Sequence, residues 1–289
     1  MRTRSAVAAT ALAALLCLPL TGCGGGDGGA DAAPPTATQT PTPSPAAEPR
    51  NAAEFLAHAR EAMAARPGWT FTVRGDEGLT SPGGDSAASY TATVDRTTGE
   101  PMTLHSTGTT HVKGADKPEE VYVVDGTGHI RKGADGVWTS GPVSDPGIAA
   151  VVEDPIAALD AFAEHGDAVT VRKSAGAVEL RAALGSAAPL SAVRGRAVTE
   201  KAIREFAPTR EQLRGAGIAP SDDRITVESV EETLTLDPTT YRLTAHRFTC
   251  VFLIPYQGGA MRYHQEVTEH TKGVFSGTVT LPAGVTGGS

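Results

Sequence analysis

Aromatic side chains are scarce in this chain of 289 residues: two Trp, five Tyr and seven Phe. Cysteine is scarcer still, at three, which excludes a scaffold built on disulfides. Asn51 is the sole asparagine, so no Asn-x-Ser/Thr acceptor exists for N-linked sugar. Basic residues number 25 against 33 acidic ones, giving a formal charge of −8. Nucleic-acid binders carry basic patches, so nucleic acid is not an expected partner. The catalytic signatures G-x-S-x-G, H-E-x-x-H and Walker A are missing, as is an Asp-rich calcium loop. No enzyme activity and no cofactor are expected; a secreted hydrolase is the weakest alternative.

What is present begins with an address. Arg2 and Arg4 precede an apolar run over 6–20 that is shorter than the ~20 residues a membrane-spanning helix needs. The run ends in Leu20-Thr21-Gly22-Cys23, which resembles a bacterial lipobox. That likeness implies signal-peptide cleavage between Gly22 and Cys23 and acylation of Cys23, palmitate included. One chain holds a protein to a bilayer only marginally, whereas two or more anchor it stably. The expected location is therefore the extracytoplasmic face of the cell membrane. Cys17 leaves with the signal, and Cys250 is left as a small buried hydrophobe.

The expected domains are a signal over 1–22, the lipidated cysteine with a disordered tether over 23–50, and one folded domain over 51–289. Residues 24–50 are mainly Gly, Ala, Pro, Ser and Thr with no aromatic, too little apolar area to offset ordering entropy. The Thr/Pro alternation over 36–45 is also suited to O-linked sugars. Gly24, Gly26 and Gly29 satisfy G-x-G-x-x-G, but no strand precedes them and no helix follows. Most of the negative charge falls on the folded part, which an anionic membrane surface would repel.

Within that part, Asn51 and Glu54 form a capping pair for a helix over 51–65, with Ala52, Phe55, Leu56, Ala59 and Met63 on one face. The period then drops to two. Trp69, Phe71 and Val73 alternate with polar residues, as do Tyr90, Ala92 and Val94, and Met102 with Leu104 opens a third strand. Strands over 121–124 and 129–132 flank Asp125-Gly126, and Val137-Trp138 begins the next, so a meander is expected. Asp145-Pro146 and Asp154-Pro155 each offer a cap with Pro at the first helical position, ahead of the stripe Ile156, Leu159, Phe162, Ala163. Short strands follow over 169–172 and 178–181, and short helices over 199–206 and 209–214.

Apolar parity changes between Val227 and Val230, and again between Ala245 and Phe248. Each change predicts a β-bulge, and two bulged strands predict a strongly curved sheet. Residues 250–254 are apolar throughout, predicting cover on both faces, with the 185–222 segment as the favoured cover and an exposed partner-binding patch as the alternative.

The helix leading into Trp69-Thr70-Phe71-Thr72-Val73, the run Val121-Tyr122-Val123-Val124-Asp125-Gly126 with Gly136-Val137-Trp138, and Leu234-Thr235-Leu236-Asp237-Pro238-Thr239-Thr240-Tyr241 together resemble the LppX/LprAFG lipoproteins and, more distantly, LolA. The likeness spans most of 51–285. It implies an α+β fold, a strongly curved antiparallel half-barrel sheet wrapped over a few helices, with a closing strand ending Leu281-Pro282. It also implies a cavity for a lipid or acyl chain. Candidate cavity residues are Trp69, Phe71, Val73, Tyr90, Val94, Leu104, Ile156, Leu159 and Phe162, for each of which plain core packing competes with ligand contact. The likeness carries no catalytic residues, and the 185–222 segment departs from it at the cavity mouth.

Two functions follow as expectations: a lipoprotein that binds or carries a hydrophobic ligand, or a ligand-free sensor or scaffold that contacts an envelope protein. A metal site is not expected. His264, Glu266 and His270 share a strand face, and a hairpin turning about 255–260 sets His246 opposite His270. Yet His264 and His270 stand ~20 Å apart along a strand, too far to share an ion.

Overall fold

The computed structural model describes residues 48–149 and 151–285. Cys17, Cys23 and the tether up to residue 47 lie outside the described residues. Five α-helices and twelve strands follow in order. Helix α1 (Ala52–Ala64) precedes β1 (Gly68–Ser81), β2 (Gly84–Thr97), β3 (Leu104–Val112), β4 (Ala115–Val124), β5 (Thr127–Lys132) and β6 (Thr139–Pro142). Helices α2 (Pro146–Ala149) and α3 (Ala157–Ala163) lead to β7 (Thr170–Lys173), β8 (Val178–Ala183) and β9 (Ala188–Pro189). Then come α4 (Leu190–Val193), α5 (Ala197–Gly215), β10 (Thr226–Leu236), β11 (Leu243–Tyr256) and β12 (Gly259–Val274).

All strands join one antiparallel sheet in the order β6-β5-β4-β3-β2-β1-β12-β11-β10-β8-β7, with β9 beside β10. The sheet curves over the helices, which is the α+β half-barrel the sequence implies. Long hairpins build it. The β4–β5 turn, Asp125-Gly126, and the β3–β4 turn, Lys113-Gly114, place both residues at positive φ (50° and 73°; 52° and 76°). That is the twist-matched two-residue turn. The first was legible as Asp-Gly; the second was hidden in a polar stretch.

Asn51 caps α1, its side chain accepting from the Glu54 amide at 3.0 Å. Glu54 reaches back to the Arg50 amide at 2.8 Å, one residue before the cap rather than the cap itself. Phe55, Leu56, Ala59 and Met63 are buried, while Ala52 is half-buried. Asp154 Oδ1 accepts from the amides of Ile156 and Ala157, starting α3 as its Asp-Pro spacing suggests.

The first predicted bulge is present, with a register shift between Val227 and Ser229 on β10. The second lies earlier than the 245–248 interval that the parity change marks: Thr244 is the extra residue, where Thr235 pairs Ala245 and Leu236 pairs Leu243, and 245–248 pair without a break. A third irregularity, between Thr70 and Phe71 against β12, has no parity signal in the sequence.

The concave face holds two large apolar clusters and a small one of Val121, Ile130 and Ile148 at α2. The first packs Trp69, Phe71, Val94, Leu104, Leu234 and Leu236 under α1 and α3. The second packs Phe248, Cys250, Phe252 and Ile254 under α4 and α5, so the 185–222 segment is the cover for that strand end. Phe206 of α5 stacks on Phe252 with ring centroids 4.4 Å apart.

Four expectations need correction. The segment 199–214 is one helix: α5 runs through Pro208, because Phe206 and Leu213 on either side are both held in the same apolar cluster. Residues 250–254 are fully buried only at even positions, and Val251 and Leu253 are half-buried on the outer face. Val137 and Trp138 precede β6 instead of lying in it, and Val137 is 88% exposed. No strand follows β12 among the described residues, so Leu281-Pro282 ends no closing strand.

Candidate functional site

The β11–β12 turn at Gln257-Gly258 pairs Tyr256 with Gly259, which sets His246 opposite Glu269 and Ala245 opposite His270. The register expected from the hairpin is therefore shifted by one residue. Since side chains alternate faces, His246 points to the core while His264 and His270 are turned outward. Among the described residues, no cluster of His, Cys, Asp and Glu is arranged to hold a metal ion.

That inward turn creates a buried charge network. His246 Nε2 meets Glu232 Oε1 at 2.8 Å and His246 Nδ1 meets Glu269 Oε2 at 2.7 Å. Two carboxylates at its two nitrogens make both nitrogens donors, so the ring is an imidazolium. Glu232 also accepts from Lys201 Nζ at 2.8 Å and from His165 Nε2 at 2.7 Å. Its carboxylate thus joins α5, β11 and the turn after α3 to β10. Lys201 caps the Phe248 ring at 4.6 Å. His165 is buried edge-on to Phe162, and its Nδ1 has no partner.

Burial alone would raise the Glu232 carboxyl, but the hydrogen bonds from His165 and His246 and the Lys201 ammonium hold it far below the ordinary range. Burial alone would lower His246, yet Glu232 and Glu269 hold it up. Removing one member of such a network strands a buried charge, which costs ~3–5 kcal/mol.

Beside the network the helices leave the concave face uncovered. A cavity of about 360 Å³ opens there, bounded by β1, β2, β4, β12, the 151–153 segment and α5. Val73, Tyr90, Val151 and Val267 supply its apolar wall. Tyr90 lies across Gly108, where an added Cβ would come within 2.6 Å of the phenol oxygen. Burial pushes the Tyr90 hydroxyl up to about 12. The rim is acidic: Glu77, Glu119, Glu153 and Glu205 line it, with Lys132 as counter-charge, whereas the Asp76 and Glu266 carboxylates turn to the outer face and pair with Arg74 and Arg247. Glu153 keeps some accessible surface because it faces the cavity, but it is enclosed by protein. Burial and the Glu269 and Glu205 carboxylates push its carboxyl up to about 8.

All nine candidate cavity residues belong to the first apolar cluster or pack against it. Val73 and Tyr90 also line the cavity. Trp69, Phe71, Val94, Leu104, Leu159 and Phe162 are buried core, and Trp69 Nε1 donates to the Met63 carbonyl at 2.8 Å. Ile156 is half-buried against them. The network was missed in the sequence because its pairs span 67, 31, 23 and 14 residues. His246 was singled out there, but with the wrong partner. Cys250 is wholly buried, and burial pushes its thiol up to about 12.

Fold and cavity together define an open half-barrel with an internal polar network and a small, acid-rimmed cavity. No family model matches the chain, and no curated protein matches it significantly. Among solved structures it is similar to LprF from Mycobacterium bovis, at 14% identity and a TM-score of 0.31, over 79% of this chain and 94% of that one. It is similar also to a putative outer membrane lipoprotein-sorting protein domain from Vibrio parahaemolyticus: 11% identity, TM-score 0.28, 78% and 93% covered. A third is the ywiB protein from Bacillus subtilis: 8% identity, TM-score 0.22, 72% and 95% covered. The lipoprotein likeness read from the residues is met again in the first two, but TM-scores this low assign no activity to this chain.

Proposed function

We propose that this chain is a lipoprotein, anchored through acylated Cys23 on the extracytoplasmic face of the cell membrane, whose half-barrel binds a hydrophobic ligand such as a lipid or acyl chain. The observation that carries this reading is the gap in the helical cover: Val73, Tyr90, Val151 and Val267 face a cavity of about 360 Å³ instead of a packed helix. That volume lies at the small end of the ~300–1,000 Å³ range of ligand sites. Val73 and Tyr90 are the proposed contacts, and the remaining seven candidates back the wall. Among the described residues no helix is long and apolar enough to cross a membrane, so attachment in this reading falls to Cys23.

A second reading, a scaffold or sensor without cargo that contacts an envelope protein, is favoured by the rim. Four carboxylates, Glu77, Glu119, Glu153 and Glu205, line the cavity, and an anionic headgroup would be repelled there. Native mass spectrometry of the full chain, with lipid extraction and a fluorescent acyl probe, separates the two. A bound mass and saturable uptake support the carrier. A clean apo mass without uptake leaves the scaffold.

A further inference from the structure

A second cavity, of about 390 Å³, lies at the β6 edge of the sheet. It shares Lys132 and Val151 with the first, so the two adjoin. Ile130, Val137, Ile148 and Val151 give it an apolar wall. Glycine lets that wall form. Gly128 and Gly141 pair across β5 and β6, and an added Cβ on Gly128 would come within 2.3 Å of Ile148, which here seats α2 directly on the sheet. At the opening Val137 is left without cover, although it is a large apolar side chain.

The two cavities differ in charge. In the second, the charged side chains are Lys132 and Asp145, and Asp145 is engaged by the Gly147 amide at 2.7 Å. In the first, Glu119 meets Lys132 at 3.5 Å, so the lysine at the junction is neutralised. Glu77 and Glu205 have neutral partners instead: Thr209 Oγ1 donates to Glu77 at 2.9 Å, and Gln265 Nε2 donates to Glu205 at 3.2 Å. Lys201, one turn back on α5, is committed to Glu232 at 2.8 Å.

Glu205 and Thr209 are one turn apart on α5, so the Glu205 carboxylate and the Glu77 carboxylate that Thr209 holds stand side by side. Two neighbouring carboxylates without a cation repel an anionic head and attract a cationic one. The Tyr90 ring on the same wall adds a face that suits an ammonium group. The apolar second cavity next door has the opposite preference and suits hydrocarbon.

We propose that the two cavities form one site for a single-chain cationic amphiphile, with its alkylammonium head beside Glu77 and Glu205 and its hydrocarbon tail running past Val151 into the cavity at the β6 edge. This rests on the hydrophobic-ligand reading and names the class of ligand for it. The carboxylates that speak against an anionic lipid are then the selective feature of the site. Val137 is uncovered because it borders the tail.

Photo-crosslinking of the full chain in phosphatidylcholine nanodiscs tests the assignment. Three probes share a tetradecyl chain with a terminal diazirine and differ in the head: trimethylammonium, hydroxyl or sulfate. The ammonium probe should label the wall formed by Ile130, Val137 and Ile148 about 10-fold more than the sulfate probe at equal dose. Glu77→Gln and Glu205→Gln, which keep an acceptor for Thr209 and Gln265, should each reduce ammonium labelling and leave hydroxyl labelling unchanged. Thr139 is exposed and pairs with Ile130 on the same face, so Thr139→Trp should fill the second cavity and remove the label there. Equal labelling by all three heads, or labelling that spares the second cavity, overturns the proposal and leaves the ligand reading standing. No labelling of the half-barrel by any probe overturns both.

Discussion

Glu232→Gln is the perturbation that probes the buried network most sharply. Glutamine keeps the shape but removes the charge and replaces one acceptor oxygen with a donor. Lys201, His246 and His165 all donate to the two Glu232 oxygens, so one donor now faces another. The side chain is 2% exposed and solvent cannot repair the mismatch. Breaking a buried pair costs ~3–5 kcal/mol, and the low end is expected here because His165 can change tautomer through its unpartnered Nδ1. In urea that is a midpoint shift of ~1–2 M at the usual slopes, read by fluorescence of the buried Trp69.

The pH profile adds a sign. Glu232 is depressed in the fold, so its contribution is complete above its ordinary value of 4.5 and is lost as pH falls through the folded value. His246 is raised, so its contribution is complete below its ordinary value of 6.5 and is lost as pH rises through the folded value. The network is therefore strongest between 4.5 and 6.5, and Glu232→Gln should cost most in that window. A second variant, Lys201→Met, closes a double-mutant cycle in which the two changes should cost at least ~1 kcal/mol less together than their sum. A Glu232→Gln protein within ~1 kcal/mol of the wild type in that window, or an additive cycle, would refute the network's assigned role.

Other expectations follow from single contacts. Phe206→Ala should cost ~3–5 kcal/mol, because it leaves a hole against Phe252 and Tyr263; thermal denaturation checks it, and a loss under ~1 kcal/mol would mean α5 is not anchored there. Cys250 should resist iodoacetamide at pH 8 in the folded protein and react on unfolding, as mass spectrometry would show. Gly108→Val should displace Tyr90 and cost ~1–3 kcal/mol, whereas a neutral outcome would mean the ring is free to move. Cys23→Ser should move the protein from the detergent to the aqueous phase in a cloud-point partition, and an unchanged partition would contradict acylation there.

Local signals carried the fold far. Period-two runs located the meander, Asn51 and Asp154 located two helix starts, and a parity change located the bulge on β10, while the one on β11 falls at Thr244, ahead of the interval its parity change marks. Strand lengths were underread because β1 to β4 continue into polar residues at the open end of the half-barrel, where one face loses its helical cover and apolar alternation fades. The sequence reads as two short helices over 199–206 and 209–214, whereas α5 is continuous through Pro208, since propensity takes no account of the apolar anchors on both sides of it. The candidate site was less legible for a different reason. Glu232, Glu269, His165 and Lys201 look like ordinary surface residues in sequence, and a one-residue change in the β11–β12 register is enough to aim His246 at them. The acidic rim is likewise assembled from β1, β4, the 151–153 segment and α5 and leaves no motif.

Uptake of a hydrophobic ligand is the claim on which the account rests. Native mass spectrometry of the full chain purified from a native-like host, followed by titration with a fluorescent acyl probe, measures it directly. The account predicts a co-purifying apolar mass or saturable probe binding that Val267→Glu, at a half-buried position on the cavity wall, abolishes while the fold persists. A clean apo mass with no probe binding at any pH from 6 to 9.5 would contradict it.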